Sequence, residues 1–338
     1  MEAAVGRPNT CESSPRKDTC GPDSRLWVSK CPADGNARAK AQAVENIDMQ
    51  CVDGIWLMKF DAVKDMASYL KKLRSLNMRN DDVISCGFPR SGNHWCFELV
   101  NMILFQTTKF REESFACNLL DIPRDLETIK SPRNLVTHLR PLHFPKQAMD
   151  KKTKIIYILR NPKDVLVSMY LMNREFAKYE WRFLGTWQQF LELHKSGDLP
   201  GGSWWEHVRA VESFAAANPH IPLHIFQYEN AKERPAEEIR KLCHFLGTPD
   251  ELAEEIARVT RFENMKKMLG AGGKIAAMEK LVFHEKEVVL RKGQVGDWKN
   301  WFSHAESEQF DRDFEANTRG SEWAKRVRTY MGLPALTK

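Results

Sequence analysis

Three segments of this chain share one pattern: a short apolar run bounded by turn residues, next to a stretch whose apolar side chains fall at helical spacing. The first is Asp82-Val-Ile-Ser-Cys-Gly-Phe-Pro, followed by Trp95, Leu99, Met102 and Ile103. The second, Lys154-Ile-Ile-Tyr-Ile-Leu-Arg160, breaks at Asn161-Pro162 before Val165, Leu166, Met169 and Met172. In the third, a helix from Trp205 to Ala217 stops at Asn218-Pro219, and a strand runs from Leu223 to Tyr228. A helix with Ile239, Leu242, Cys243 and Leu246 then closes at Gly247. Strands that alternate with helices pair in parallel, so the pattern predicts an α/β fold: a single domain with a mostly parallel central sheet flanked by helices on both faces. Ligands of such sheets bind at the carboxyl ends of the strands.

The folded part is expected to begin close to residue 46. Gly54-Ile-Trp-Leu-Met-Lys reads as a strand, and Val63 to Leu76 carries Val63, Met66, Ala67, Leu70 and Leu73 at helical spacing. Residues 1–45 mix Pro, Gly, Ser and charges of both signs around one apolar knot, Leu26-Trp27-Val28. That composition predicts a disordered tail and leaves 46–338 as the domain. Gly270 to Lys292 opens on Gly-Ala-Gly-Gly and has little periodicity. It reads as a long functional loop, a lid.

Composition narrows the partners. The 51 Lys and Arg against 45 Asp and Glu give a formal charge of +6, too mild for a histone-like nucleic-acid binder but suited to an anionic small ligand. No window approaches the ~18 uninterrupted apolar residues of a membrane helix, and no secretory or transit signal is recognisable. A cytoplasmic protein with no membrane or nucleic-acid partner is therefore expected. Its 8 cysteines form no Cys-x-x-Cys pair, so no metal site is expected and the thiols are read as free.

Chemistry concentrates in the first strand-to-helix turn, Gly87-Phe-Pro-Arg-Ser-Gly-Asn-His-Trp95. Backbone N–H groups at a helix N-terminus beside a cationic side chain form an anion site, so this P-loop-like turn should cradle a phosphate or sulfate. A Walker A loop is absent, because Asn93-His94 follows Gly92 where Lys-Ser/Thr would stand. That disfavours a nucleoside or nucleotide kinase.

The turn resembles the 5′-phosphosulfate loop of the cytosolic sulfotransferases, Tyr/Phe-Pro-Lys-Ser-Gly-Thr-x-Trp. Two further segments match that family in order. Arg160-Asn-Pro-Lys-Asp-Val-Leu-Val-Ser168 is similar to its 3′-phosphate motif, and Arg291-Lys-Gly-Gln-Val-Gly-Asp-Trp-Lys299 to its C-terminal Arg-Lys-Gly-x-x-Gly-Asp-Trp-Lys signature. The resemblance runs from about Gly54 to the C-terminus. It implies that 3′-phosphoadenosine 5′-phosphosulfate (PAPS) is the sulfonate donor, with 3′-phosphoadenosine 5′-phosphate (PAP) as product.

The family's roles then fall on particular residues. Arg90, Ser91, Gly92, Asn93 and His94 would hold the 5′-phosphate, with backbone N–H groups from Ser91 to His94 pointing at it. Arg160, Ser168, Arg291, Lys292 and Gly293 would hold the 3′-phosphate, a task that suits the fork of Arg. Trp95, Tyr228, Thr260 and Phe262 would form the adenine slot. His138, in Leu-Val-Thr-His-Leu-Arg-Pro, matches the histidine that takes the acceptor's proton, and an imidazole suits that work near neutral pH. The implied reaction is in-line attack by a hydroxyl or amine of a small, apolar acceptor, with Arg90 beside the bridging oxygen and Ser168 restraining that cation until acceptor arrives.

Departures from the pattern gather in the same site. Arg90 replaces Lys and stays protonated, so it cannot serve as a general acid. Asn93 replaces Thr, and Val136 replaces a Lys, with Arg140 nearby as a candidate substitute for the lost charge. These changes leave a non-catalytic or weakly active PAPS binder as the alternative. Acceptor-pocket walls are expected from Phe110 to Ile122, from Met172 to Phe183 and from the lid, with Phe88, Phe115 and Phe283 as candidates. Lys299-Asn-Trp-Phe-Ser-His-Ala-Glu-Ser-Glu308 resembles the family's dimer motif, which implies a homodimer through that segment.

Overall fold

The computed structural model describes residues 49–59, 63, 65–123, 125–176, 182–270 and 289–335. The tail and residues 271–288 of the lid, Phe283 among them, lie outside the described residues.

An antiparallel hairpin comes first, β1 (Met49–Val52) with β2 (Ile55–Met58), followed by α1 (Met66–Leu73). The helix starts three residues later than its spacing suggests, because the Asp65 carboxylate accepts the N–H groups of Ala67 and Ser68 and so caps it. Next come β3 (Val83–Gly87) and α2 (Asn93–Leu104), then β4 (Asn134–Thr137), α3 (Lys146–Asp150), β5 (Lys154–Leu159) and α4 (Pro162–Arg174). After α5 (Trp187–Ser196) and α6 (Trp204–Ala217), the chain returns as β6 (Leu223–Gln227) and continues through α7 (Tyr228–Glu233), α8 (Pro235–Leu246), α9 (Ala253–Val259) and α10 (Phe262–Met265). A last long helix covers His304–Asn317.

Four strands form an all-parallel sheet in the order β4-β3-β5-β6. The domain is the expected α/β one, with helices on both faces. Strand alternation divides the core in two. Ile84, Cys86, Ile155, Tyr157 and Leu159 face a large cluster with α1, α4, α5 and α6. Val83, Ile156, Ile158 and Phe226 face a second with α2, α8 and α9. Because β3 has β4 on one side and β5 on the other, the connection from β4 crosses it, which makes the carboxyl end of β3 the switch point where such sheets open a crevice.

Two expectations shift. Tyr228 does not end β6 but begins α7. Cys51 is disulfide-bonded, correcting the reading of eight free thiols, whereas Cys86, Cys96, Cys117 and Cys243 are free. Among the described residues no helix is long and apolar enough to cross a membrane, and no cluster of His, Cys, Asp and Glu could hold a metal ion. The segment matched to the dimer motif runs from a short 3-10 turn, Asp297–Asn300, into the cap of the last helix, where Ser303 and His304 are exposed.

Candidate active site

Each parallel strand delivers one part of the site from its carboxyl end: β3 the turn up to Trp95, β4 His138, β5 Arg160, and β6 Tyr228. The turn folds back on Phe88, whose carbonyl accepts the Ser91 N–H and the Asn93 side-chain amide, both at 3.1 Å. Ser91 therefore has its hydroxyl rather than its N–H left to offer a ligand. Arg90 adopts a left-handed backbone with φ +69°, unusual for a residue with a side chain. Gly92 has φ +104°, and a Cβ there would lie 2.6 Å from the Tyr228 ring, so this position admits only glycine.

Four buried polar atoms in this turn, Ser91 Oγ, Asn93 Oδ1, His94 Nε2 and Trp95 Nε1, have no hydrogen-bond partner among the described residues. Each such atom costs roughly 1–3 kcal/mol if left unsatisfied. Their concentration at one helix start fits a polar ligand seated there.

Arg90 is held on three sides. Its Nε donates to Ser168 Oγ at 3.0 Å, Nη2 to the Val289 carbonyl at 3.1 Å, and Nη1 meets Met172 Sδ at 3.4 Å. The structure thus brings Arg90 and Ser168 into hydrogen-bond contact. Arg160 reaches the same turn, donating to the Arg90 carbonyl at 2.9 Å and the Gln294 carbonyl at 3.4 Å, with its guanidinium 4.3 Å from the Tyr228 ring centre. It makes no ion pair with Asp164. That carboxylate instead accepts the N–H groups of Gly296 and Trp298 at 2.7 and 2.9 Å, clamping the C-terminal loop to the start of α4. Arg291 and Lys292 both donate to Asp297, at 2.7 and 2.8 Å. Burial pushes the Asp297 carboxyl up, but hydrogen bonds from Lys292, Arg291 and Asn300 outweigh it and hold the group at about 2. Gly293, with φ +62°, packs so closely on Phe262 that a Cβ would lie 2.2 Å from its ring.

The aromatic residues expected to form a slot border one cavity. Trp95 meets Tyr228 edge-on, with ring centres 5.5 Å apart, and Lys232 lies 5.6 Å from the Trp95 ring. Thr260 is buried, and its hydroxyl donates to the Ile256 carbonyl.

His138 sits in a framework of residues distant from it in the chain. Asp121 accepts its backbone N–H at 3.0 Å and faces its Nδ1 at 2.6 Å, while also accepting the Thr137 hydroxyl at 2.6 Å. With the proton on Nδ1 shared with a carboxylate, Nε2 is the basic nitrogen. From behind, the Tyr157 hydroxyl donates to His207 Nδ1 and His207 Nε2–H donates to the His138 carbonyl, at 3.0 and 3.1 Å. Burial first, with the nearby Arg140 charge, lowers the His207 pKa to about 3 and keeps that ring neutral. Asp121 and His207 stand 17 and 69 residues from His138, and no local spacing rule reaches that far.

One cavity of about 530 Å³ is bordered by every expected site residue except Ser91. Anion turn, Arg160, the Arg291–Gly293 segment, aromatic slot and His138 all meet it. Its lining also includes the apolar side chains of Met58, Phe115, Leu119, Met169, Met172 and Phe176. The wall expectations hold for Phe115 and fail for two others: Phe88 lies edge-on to His207 and Phe183 packs among Tyr170 and Phe190, so both are core. Arg140 does not replace the lost charge, since it is paired with Glu206 at 2.9 Å and does not border the cavity. Val136 is buried against Phe97 and Phe115.

Residues 80–322 match the sulfotransferase domain family. Sulfotransferase 1A1 of Mus musculus is 34% identical over 293 residues, covering 81% of this chain and 96% of its own. Sulfotransferase 1E1 of Homo sapiens is 32% identical over 277 residues, covering 76% and 90%. Among solved structures, mouse sulfotransferase SULT7A1 complexed with PAP superposes with a TM-score of 0.66 at 28% identity, covering 83% of this chain and 99% of that one.

Proposed function

This chain belongs to the sulfotransferase family, and from that premise we propose that it moves a sulfonate from PAPS to a hydroxyl or amine of a small, apolar acceptor, with His138 as the base. The observation that carries the reading is the single cavity whose lining brings together the anion turn, Arg160, the Arg291–Gly293 segment, apolar side chains such as Phe115 and Phe176, and the Asp121-held imidazole.

PAPS, when bound, supplies an activated sulfonate whose departure leaves charge on the 5′-phosphate. The chain's own residues answer that chemistry. N–H groups at the start of α2 receive the 5′-phosphate. Arg160, Ser168, Arg291, Lys292 and Gly293 take the 3′-phosphate, and Trp95, Tyr228, Thr260 and Phe262 enclose the adenine. Arg90, permanently charged, stabilises the charge that builds on the leaving oxygen without giving up a proton. His138 Nε2 accepts the acceptor's proton while Asp121 steadies the ring that becomes charged. The apolar wall takes the acceptor's body and orients its nucleophile in line.

Incubation with sulfur-labelled PAPS and a panel of phenols, sterols and amines tests this. Transfer to at least one apolar acceptor is expected, and His138→Ala should abolish it while leaving PAP affinity within about twofold. A variant that transfers as well as the unaltered chain removes His138 from the base role.

A further inference from the structure

A second imidazole lies between the anion turn and His138, and none of the roles above uses its side chain. His94 is the second residue of α2. Its ring stacks on Phe115, with centres 3.8 Å apart and planes at 19°, and Phe115 in turn tilts against His138 at 6.2 Å. The ring therefore leans toward the acceptor end of the cavity, away from the Trp95–Tyr228 slot. His94 borders the cavity, and its Nε2 is buried with no hydrogen-bond partner among the described residues. Burial first, then the charges of Arg90 and His138, hold its pKa at about 3. At neutral pH the ring is uncharged, with one N–H to donate and no capacity to compete with His138 as base.

Sulfonate held for transfer must sit between the turn that takes the 5′-phosphate and the imidazole that takes the acceptor's proton, and the His94 ring is bracketed by those two. We propose that His94 Nε2–H donates a hydrogen bond to a non-bridging oxygen of the sulfonate as it is transferred. The inference rests on the donor reading above. In the step, the acceptor oxygen forms its bond to sulfur and its proton passes to His138 Nε2. The bond from sulfur to the bridging oxygen breaks with its electron pair left on the 5′-phosphate. His94 keeps its proton throughout and stabilises the sulfonate oxygens as charge shifts across them.

PAP lacks the sulfonate, so comparing the two nucleotides isolates this contact without knowledge of the acceptor. Calorimetric titration of His94→Leu should show PAPS affinity reduced roughly tenfold or more, as for a lost hydrogen bond to a charged group, with PAP affinity within twofold. His94→Gln, which restores an N–H donor, should recover most of the loss. Unchanged PAPS affinity in the leucine variant, or equal weakening of both nucleotides, overturns the inference. In the unaltered protein, the ¹⁵N resonance of His94 Nε2 should move on addition of PAPS and not of PAP, and identical spectra for the two overturn the inference whatever the variants do. Failure of the unaltered chain to bind either nucleotide would remove the donor reading and this inference together, whereas PAP binding without a PAPS-specific response removes the inference alone.

Discussion

Asp121 makes four contacts of one kind: its two oxygens accept the Thr137 hydroxyl, share the His138 backbone N–H and face His138 Nδ1. One carboxylate thus fixes both the main chain and the ring of the same residue. In the proposed reaction the ring it fixes gains a positive charge, and a neighbouring carboxylate stabilises that form and excludes the tautomer with its proton on Nε2. Asp121→Asn keeps the size and part of the hydrogen bonding but lets the amide select the wrong tautomer. Turnover should fall by roughly 10²- to 10⁴-fold, by analogy with the effect of replacing the carboxylate of a catalytic triad. PAP affinity should stay within twofold, because Asp121 lies at the acceptor end. Single-turnover rates alongside PAP titration check this, and a loss confined to nucleotide binding would refute the positioning role.

At the scale of elements, the site depends on α4 more than its sequence suggests. Pro162 and the Asn161 side chain start the helix, and the same first turn places Asp164 where it grips Gly296 and Trp298. Lys163, fully buried, donates to Ser307 and Asp311 on the last helix and lies 4.3 Å from the Trp298 ring. The loop carrying Arg291 to Gly293 is therefore docked by two adjacent residues of α4. Asp164→Ala frees both N–H groups, and PAP should bind roughly tenfold or more weakly, as expected when buried donors lose a charged acceptor. The His138 environment, monitored through its ring resonances, should not change; displacement of that ring would mean the clamp serves the whole sheet rather than the loop. The same comparison shows what a sequence can disclose. Strands β3, β5 and β6 were legible because each is an apolar run ended by Gly, Pro or a polar residue, and the anion turn was legible because its chemistry is contiguous. β1 and β4 are four residues each, like β2, but where β2 is an unbroken apolar run after Gly54, Met-Gln-Cys-Val and Asn-Leu-Val-Thr are interrupted or bounded by polar residues and do not stand out. Asp164, Asp121, His207 and Lys232 were not legible as site residues, because their work depends on partners brought close only by the sheet's crossing order.

The molecule as a whole carries its buried titratable groups with opposing signs. His194 and His207 are fully buried and held at about 3, burial being the first cause for each, and His94 is shifted the same way. A histidine whose pKa is depressed on folding contributes stability that is present above its unfolded value near 6.5 and lost as pH falls toward 3, because the unfolded chain takes up the proton first. Glu229 runs against this. Its burial, only partly offset by the Asn161 N–H and Arg160, raises its carboxyl to about 7, so its folded form prefers the proton and stability falls as pH rises from about 4.5 to 7. Three histidines against one carboxyl leave the histidines dominant. Urea unfolding should therefore show stability falling below pH 6.5, by on the order of 2–3 kcal/mol per pH unit, with a steeper fall below pH 4.5 where Glu229 no longer opposes it. His194 permits a clean control, since it stands away from the cavity and its Nε2 accepts the Trp204 N–H at the start of α6. The carbonyl of a glutamine can accept the same bond without titrating. His194→Gln should flatten the acid slope by about 1 kcal/mol per pH unit and leave sulfonate transfer at pH 7 unchanged, and a slope identical to that of the unaltered chain would show that His194 is not among the groups that set it.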